Sequence, residues 1–160
     1  MAIRIPSEQD GVVKLALNDS GWLDKPAIAA GQLRQGKVPS MAAMALGYGL
    51  VEVLRPRRSK LLPRHFVLAV TEDEVIAFKA TGGGGESDRT YYLNIREGIE
   101  ARYPREAVTI SGLDKGEHSK GATMTVNGES FPVSRPNLSG DPNTDELIAT
   151  LSGRSTAVAA

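Results

Sequence analysis

Residues 62–79, LPRHFVLAVTEDEVIAFK, constrain the fold more than any other part of this chain. Successive side chains of a strand point to opposite sides of the sheet. A strand starting near Arg64 or His65 therefore puts Phe66, Leu68 and Val70 on one face and Val67 and Ala69 on the other. Neither face carries a charge between Phe66 and Val70, the pattern of a strand covered on both sides. Thr71, Glu72, Asp73 and Glu74 supply a polar turn, and a second strand follows with Val75, Ala77 and Lys79 opposed to Ile76, Phe78 and Ala80. Pro63 cannot donate to a ladder and suits the residue before the strand. The chain must therefore build a sheet with apolar cover on two sides.

The 160 residues fit a single core, and folding should bury roughly 70% of the surface of the unfolded chain. Aromatics make up only 5% of the residues, so that core rests on Val, Leu, Ile and Ala. Cysteine is absent, which excludes disulfides and thiolate metal sites and fits a reducing compartment. Nineteen basic and nineteen acidic residues cancel, so there is no global pull toward nucleic acid. The first residues contain no apolar run of the length an export signal needs, and the expected location is cytoplasmic. Residues 41–54, MAAMALGYGLVEVL, are interrupted by Glu52 and fall short of the roughly 20 residues that cross a bilayer.

Ahead of the hairpin, Ser7 and Asp10 resemble a helix start before the run Val12, Val13, Leu15, Ala16 and Leu17, which stops at Asn18 to Gly21. Residues 1–25 are thus expected to form a helical arm, anchored by the single Trp22. Residues 28–33 are too short for periodicity to choose between helix turn and strand. Residues 40–54 read as a helix capped by Ser40 and stopped by Pro56. Within it Ala43 and Gly47, and Ala45 and Gly49, repeat at four residues and form a flat strip that packs on the domain's own sheet or serves self-association or a lipid surface.

After the hairpin, Gly82 to Gly85 read as a flexible loop. They lack the Lys, Ser/Thr and following helix of a phosphate-binding loop. YYLNIR (91–96) and AVTIS (107–111) read as two further strands. ATMTV and ESFPV flank Asn127 and Gly128, the signature of a two-residue type I′ turn, with Pro132 implying an edge position or a bulge. A terminal helix has Asp141 as cap, Pro142 at its first position and Leu147, Ile148 and Leu151 on one face, ending at Gly153. Residues 154–160 read as a flexible tail.

LPRHFVLAVTEDEVIAFK, the later YPREAVTI, the Asn-Gly hairpin and the terminal DELIATL together resemble the bacterial PH-like domains, related in fold to pleckstrin-homology and GRAM modules. The resemblance covers roughly residues 28–152. It implies an α+β fold: a bent antiparallel β-barrel of about seven short strands, plugged by a C-terminal helix, over residues 26–153. It also implies binding or scaffolding rather than catalysis.

The residues themselves indicate no enzyme. There is no GxSxG elbow, and no spacing orients a nucleophile. His65 and His118 are the only imidazoles, and no further metal ligands recur around either; no cofactor is indicated. Tyr91 and Tyr92 beside Arg89 and Arg96 read as strand packing rather than a base-stacking platform. The one strong charge asymmetry is RPRRSKLLPR: Arg55, Arg57, Arg58, Lys60 and Arg64 have no acid between them. Such a cluster suits anionic lipid headgroups or a nucleic-acid phosphate; as a solvated loop it would instead pair with Glu72, Asp73 or Glu74. The expected role is a non-catalytic module for a protein partner, with an anionic membrane surface reached through residues 55–64 as the alternative.

Overall fold

The two-sided apolar strand lies at the centre of one eight-stranded antiparallel sheet. This computed structural model describes residues 2–6, 9–36, 59–84, 91–111, 122–134 and 142–152. In chain order these form β1 (Ala2–Pro6), α1 (Val12–Ser20), β2 (Ala29–Gln35), β3 (His65–Val70), β4 (Glu74–Gly84), β5 (Tyr91–Pro104), a 3-10 turn (Arg105–Ala107), β6 (Val108–Ser111), β7 (Ala122–Val126), β8 (Glu129–Ser134) and α2 (Pro142–Leu151). The strands run in the order β1-β5-β4-β3-β2-β8-β7-β6. The architecture is α+β, dominated by antiparallel sheet.

The alternation read along β3 separates two hydrophobic cores. Phe66, Leu68 and Val70 join Val75, Ala77, Met124, Phe131 and Leu147 on the face covered by α2. Val67 and Ala69 join Ile76, Phe78, Leu93, Ile95, Val13 and Leu17 on the face covered by α1. Fully burying a side chain such as Phe66 contributes about 1.5–3 kcal/mol, so a strand loaded on both faces is the strongest single organiser of the chain. Trp22 packs at the edge of the second core, its ring 5.7 Å from that of Phe78.

The N-terminal segment is not helical throughout. Ile3 and Ile5 alternate with Arg4 and give β1, which pairs with β5 (Ile3↔Ile95, Ile5↔Leu93). A helix follows over Val12–Ser20, ended by Gly21 in the left-handed region (φ 79°). Ser7 lies outside the described residues. From Ala29 onward the segment 28–33 is strand β2, whose backbone pairs with β3 from Ala29↔Val70 to Arg34↔His65.

The glycine run is also corrected. Gly82, Gly83 and Gly84 are the last rungs of β4, in register with Leu93, Tyr92 and Tyr91. Arg4 on β1 places its guanidinium 4.2 Å from the centre of the Tyr92 ring. Gly85 lies outside the described residues. Strand β5 runs through YPRE's first two residues instead of stopping at Arg96, because Tyr103 and Ala101 continue the ladder opposite Val75 and Ala77.

Asn127 (φ 49°) and Gly128 (φ 85°) both take positive φ, and Val126 pairs with Glu129 across them, as the type I′ turn requires. Pro132 is not on an edge strand: β8 lies between β2 and β7. The β2–β8 ladder consists only of Arg34↔Ser134 and Gln35↔Val133. The Gly36 N–H donates to the Pro132 carbonyl at its end (2.8 Å), so the missing proline N–H falls where pairing stops.

Helix α2 closes the gap that this short ladder leaves. Gly31 admits it: a Cβ there would lie 2.8 Å from Thr144 Cα and 2.9 Å from the Asn143 carbonyl. The Thr144 hydroxyl accepts from the Gln32 N–H (3.3 Å) and donates to the Gln32 carbonyl (3.1 Å), standing in for a neighbouring strand. Asn143 reaches the other way, accepting from Val13 N–H (3.3 Å) and donating to the Gln9 carbonyl (2.8 Å).

Candidate functional site

The segment before β3 is held by side chains that come from distant parts of the chain. Gln35, buried at the end of β2, accepts from the Ser59 N–H at Oε1 (2.7 Å). Its Nε2 lies within donating distance of the carbonyls of Ser59 (3.0 Å), Leu62 (2.9 Å) and Pro63 (3.2 Å). Its backbone N–H donates to the Arg64 carbonyl (2.9 Å). Ser59 Oγ accepts from Leu61 N–H (3.1 Å), and the Tyr103 hydroxyl of β5 donates to the Leu61 carbonyl. Burial, then the nearby negative charge of Glu129, pushes the Tyr103 phenol above its ordinary pKa, which keeps it a donor. Residues 59–64 are thus an irregular segment several of whose backbone groups are bonded by Gln35, Ser59 and Tyr103.

That rigid segment carries Lys60 and Arg64, and β4 brings Lys79 beside them. The three cations line one cleft of about 260 Å³ together with Leu61, Leu62, Pro63 and, as the one acid among its described lining residues, Glu100. Strand alternation explains Lys79: it continues the face of Val75 and Ala77 past the end of the core. Irregular pairing in β5 explains Glu100. The register shifts between Ala77↔Ala101 and Phe78↔Ile99, leaving Glu100 as an extra residue. It shifts again before Ala80↔Ile95, so that Arg96, Glu97 and Gly98 (φ 112°) stand opposite Lys79 alone. Bulges of this kind re-aim side chains and bend the strand. Lys60, Lys79 and Glu100 form no ion pair among the described residues.

Of the basic residues singled out in the sequence, Lys60 and Arg64 are therefore brought together, while Arg55, Arg57 and Arg58 lie outside the described residues. So does the strip Ala43, Ala45, Gly47 and Gly49. The acids proposed as partners of the basic segment are engaged elsewhere. Lys25 contacts Glu72 (3.1 Å) and Asp73 (2.9 Å), and Arg102 contacts Asp24 (3.1 Å) and Glu74 (3.5 Å). They sit at the opposite end of β3, whose six residues span roughly 20 Å.

Lys79, Glu100, Gln35 and Tyr103 were not singled out by sequence reasoning. The position of Lys79 on the otherwise apolar face of its strand was the one available signal; the clamp and the bulge have none. A larger cleft of about 380 Å³ lies between the 3-10 turn and the end of α2. It sets Glu72 and Glu106 against Arg105, and two of its hydroxyls are already committed: Thr150 to the Glu146 carbonyl and Ser152 to the Ala149 carbonyl.

Among the described residues no group of three His, Cys, Asp or Glu is placed to hold a metal ion. No helix among them is long and apolar enough to cross a membrane. Comparison of the chain with protein-family models and with curated proteins gives no match.

Proposed function

We propose that the chain is a non-catalytic binding module of PH-like architecture that engages anionic lipid headgroups through the basic cleft. One observation carries this reading: Lys60, Arg64 and Lys79, drawn from two separate elements, line a single cleft whose loop is fixed by Gln35 and Tyr103. A fixed loop presents its charges without first losing conformational freedom. Each cation near an anionic surface contributes about 1 kcal/mol, and Arg55, Arg57 and Arg58 lie a few residues before Lys60 in the sequence. The antiparallel sheet followed by a helix seated on β2 supports the PH-like reading. The protein-partner reading follows from the same resemblance, and the small-residue strip offered as its surface lies outside the described residues.

The test is co-sedimentation with phosphatidylcholine vesicles doped with phosphatidylglycerol, at low salt. Wild type is expected to pellet with the doped vesicles, and the double variant K60E/K79E to remain in the supernatant. Equal pelleting of the two proteins would remove the cleft from the function.

A further inference from the structure

The acid in the basic cleft needs its own explanation. Glu100 lies on the bulged rung of β5, where a regular ladder would have placed no extra side chain, and it shares the cleft with Lys60, Arg64 and Lys79 without an ion pair among the described residues. A carboxylate is acceptor-only: it repels an anion unless that anion brings a hydrogen-bond donor of its own. An unpaired charge of this kind serves selection, because it penalises the wrong ligand more than it helps the right one.

Resting on the anionic-headgroup reading above, we infer that Glu100 is a specificity residue, which restricts the cleft to anions that also carry hydroxyl donors, such as a polyol phosphate. The cations take the phosphate oxygens, while Glu100 accepts from a hydroxyl on the same headgroup. A phosphodiester of equal charge without hydroxyls fills the same positive field but leaves Glu100 facing its oxygens unpaired. Discrimination therefore comes from the donor, since the charge of the two ligands is identical.

Phosphatidylglycerol and phosphatidylmethanol provide that pair, and E100Q is the informative variant because its amide keeps the shape and can donate. With phosphatidylcholine vesicles doped equally with either lipid, wild type is expected to bind the glycerol form roughly tenfold more tightly, one charge-assisted hydrogen bond being of that order. E100Q is expected to bind both forms alike, through a gain on phosphatidylmethanol. Thermal melts of E100Q matching wild type establish that the fold is kept.

If wild type binds both lipids equally and E100Q strengthens both by the same factor, the donor rule is wrong while the basic cleft stands. If wild type binds neither lipid, the cleft reading fails and takes the donor rule with it. Glycerol 1-phosphate separates the sources of one chemistry. Displacement of wild type from vesicles by this compound, and its weaker effect on E100Q, would support the donor rule with a free polyol phosphate as ligand.

Discussion

The two ends of the β3–β4 hairpin carry opposite charge and treat it in opposite ways. At the turn, Glu72, Asp73 and Glu74 are met by Lys25 and Arg102, whose contacts tie the turn to the segment after α1 and to β5. At the other end, Lys60, Arg64 and Lys79 share a cleft in which Glu100 is the one acid among the described lining residues. The acidic end is neutralised by neighbours, and such exposed pairs contribute little to stability. At the basic end three cations meet one acid among the described residues, on a segment bonded by a buried glutamine and a tyrosine. Charge that is concentrated on a segment held in place is the feature on which the proposed headgroup binding rests.

Removing the rigidity should have the largest effect. Gln35→Leu leaves the Ser59 N–H and the carbonyls of Ser59, Leu62 and Pro63 without that partner. Each buried polar group left unsatisfied costs about 1–3 kcal/mol, so a loss of roughly 3 kcal/mol in urea unfolding is expected, together with weaker vesicle binding. Gln32 provides the contrast three residues earlier. Its side-chain amide is equally buried but has no hydrogen-bond partner among the described residues. Gln32→Met should therefore hold or raise stability, by about 1 kcal/mol. If both variants lost the same stability, the clamp would be no more than ordinary packing.

Next in size is the charge contrast itself. Lys79→Glu reverses one cleft charge and should weaken binding to phosphatidylglycerol vesicles by about 2 kcal/mol, roughly thirtyfold. Lys25→Glu makes the same change at the turn and should leave binding where it was. A similar loss from both would show that net charge governs association, and the two ends would not differ in function. Tyr103→Phe comes third. It removes the hydroxyl that serves the Leu61 carbonyl, and about 1 kcal/mol of stability should go with it. Binding should fall less than for Gln35→Leu, because the other bonds to the segment remain.

How much of this was legible depended on whether the signal was local. The two faces of β3 follow from a period of two, and the Asn127–Gly128 turn from the φ values that its two positions need. Helix α2 followed from Pro142 and its apolar stripe, but not its seat, since the Cβ missing at Gly31 matters only once Thr144 lies against it. The glycine run reads as a loop in isolation because nothing in it shows that Leu93, Tyr92 and Tyr91 stand opposite. Half of the cleft was visible as the run through Lys60 and Arg64. The other half depends on strand register: Lys79 enters from the next strand and Glu100 through a bulge, and bulges have no residue signature comparable to Asn-Gly. Gln35 is 24 residues from Ser59, and Tyr103 is 42 from Leu61, so neither clamp could be seen along the chain.

The smallest predicted effect concerns the acidic end and the sign of its pH dependence. Hydrogen bonds from Lys25 to Asp73 and Glu72 raise the Lys25 pKa from 10.5 to about 12. Its contribution to stability is therefore complete below pH 10.5 and is lost as the pH rises through about 12. Asp73 moves the other way: the bond from Lys25 holds it below its ordinary 3.8, helped by the Thr71 hydroxyl. Its contribution is complete above that value and is lost as the pH falls below it. Both groups are exposed, so salt screens the pair and the effect on melting temperature should be slight. The melting temperatures of wild type and Lys25→Ala should differ by a small, constant amount across neutral pH and converge at both extremes. A difference that persisted unchanged well below pH 3.8 would mean that Lys25 acts through its aliphatic packing. The acidic end would then owe its order to contact rather than to the charge pairing that sets it apart from the cleft.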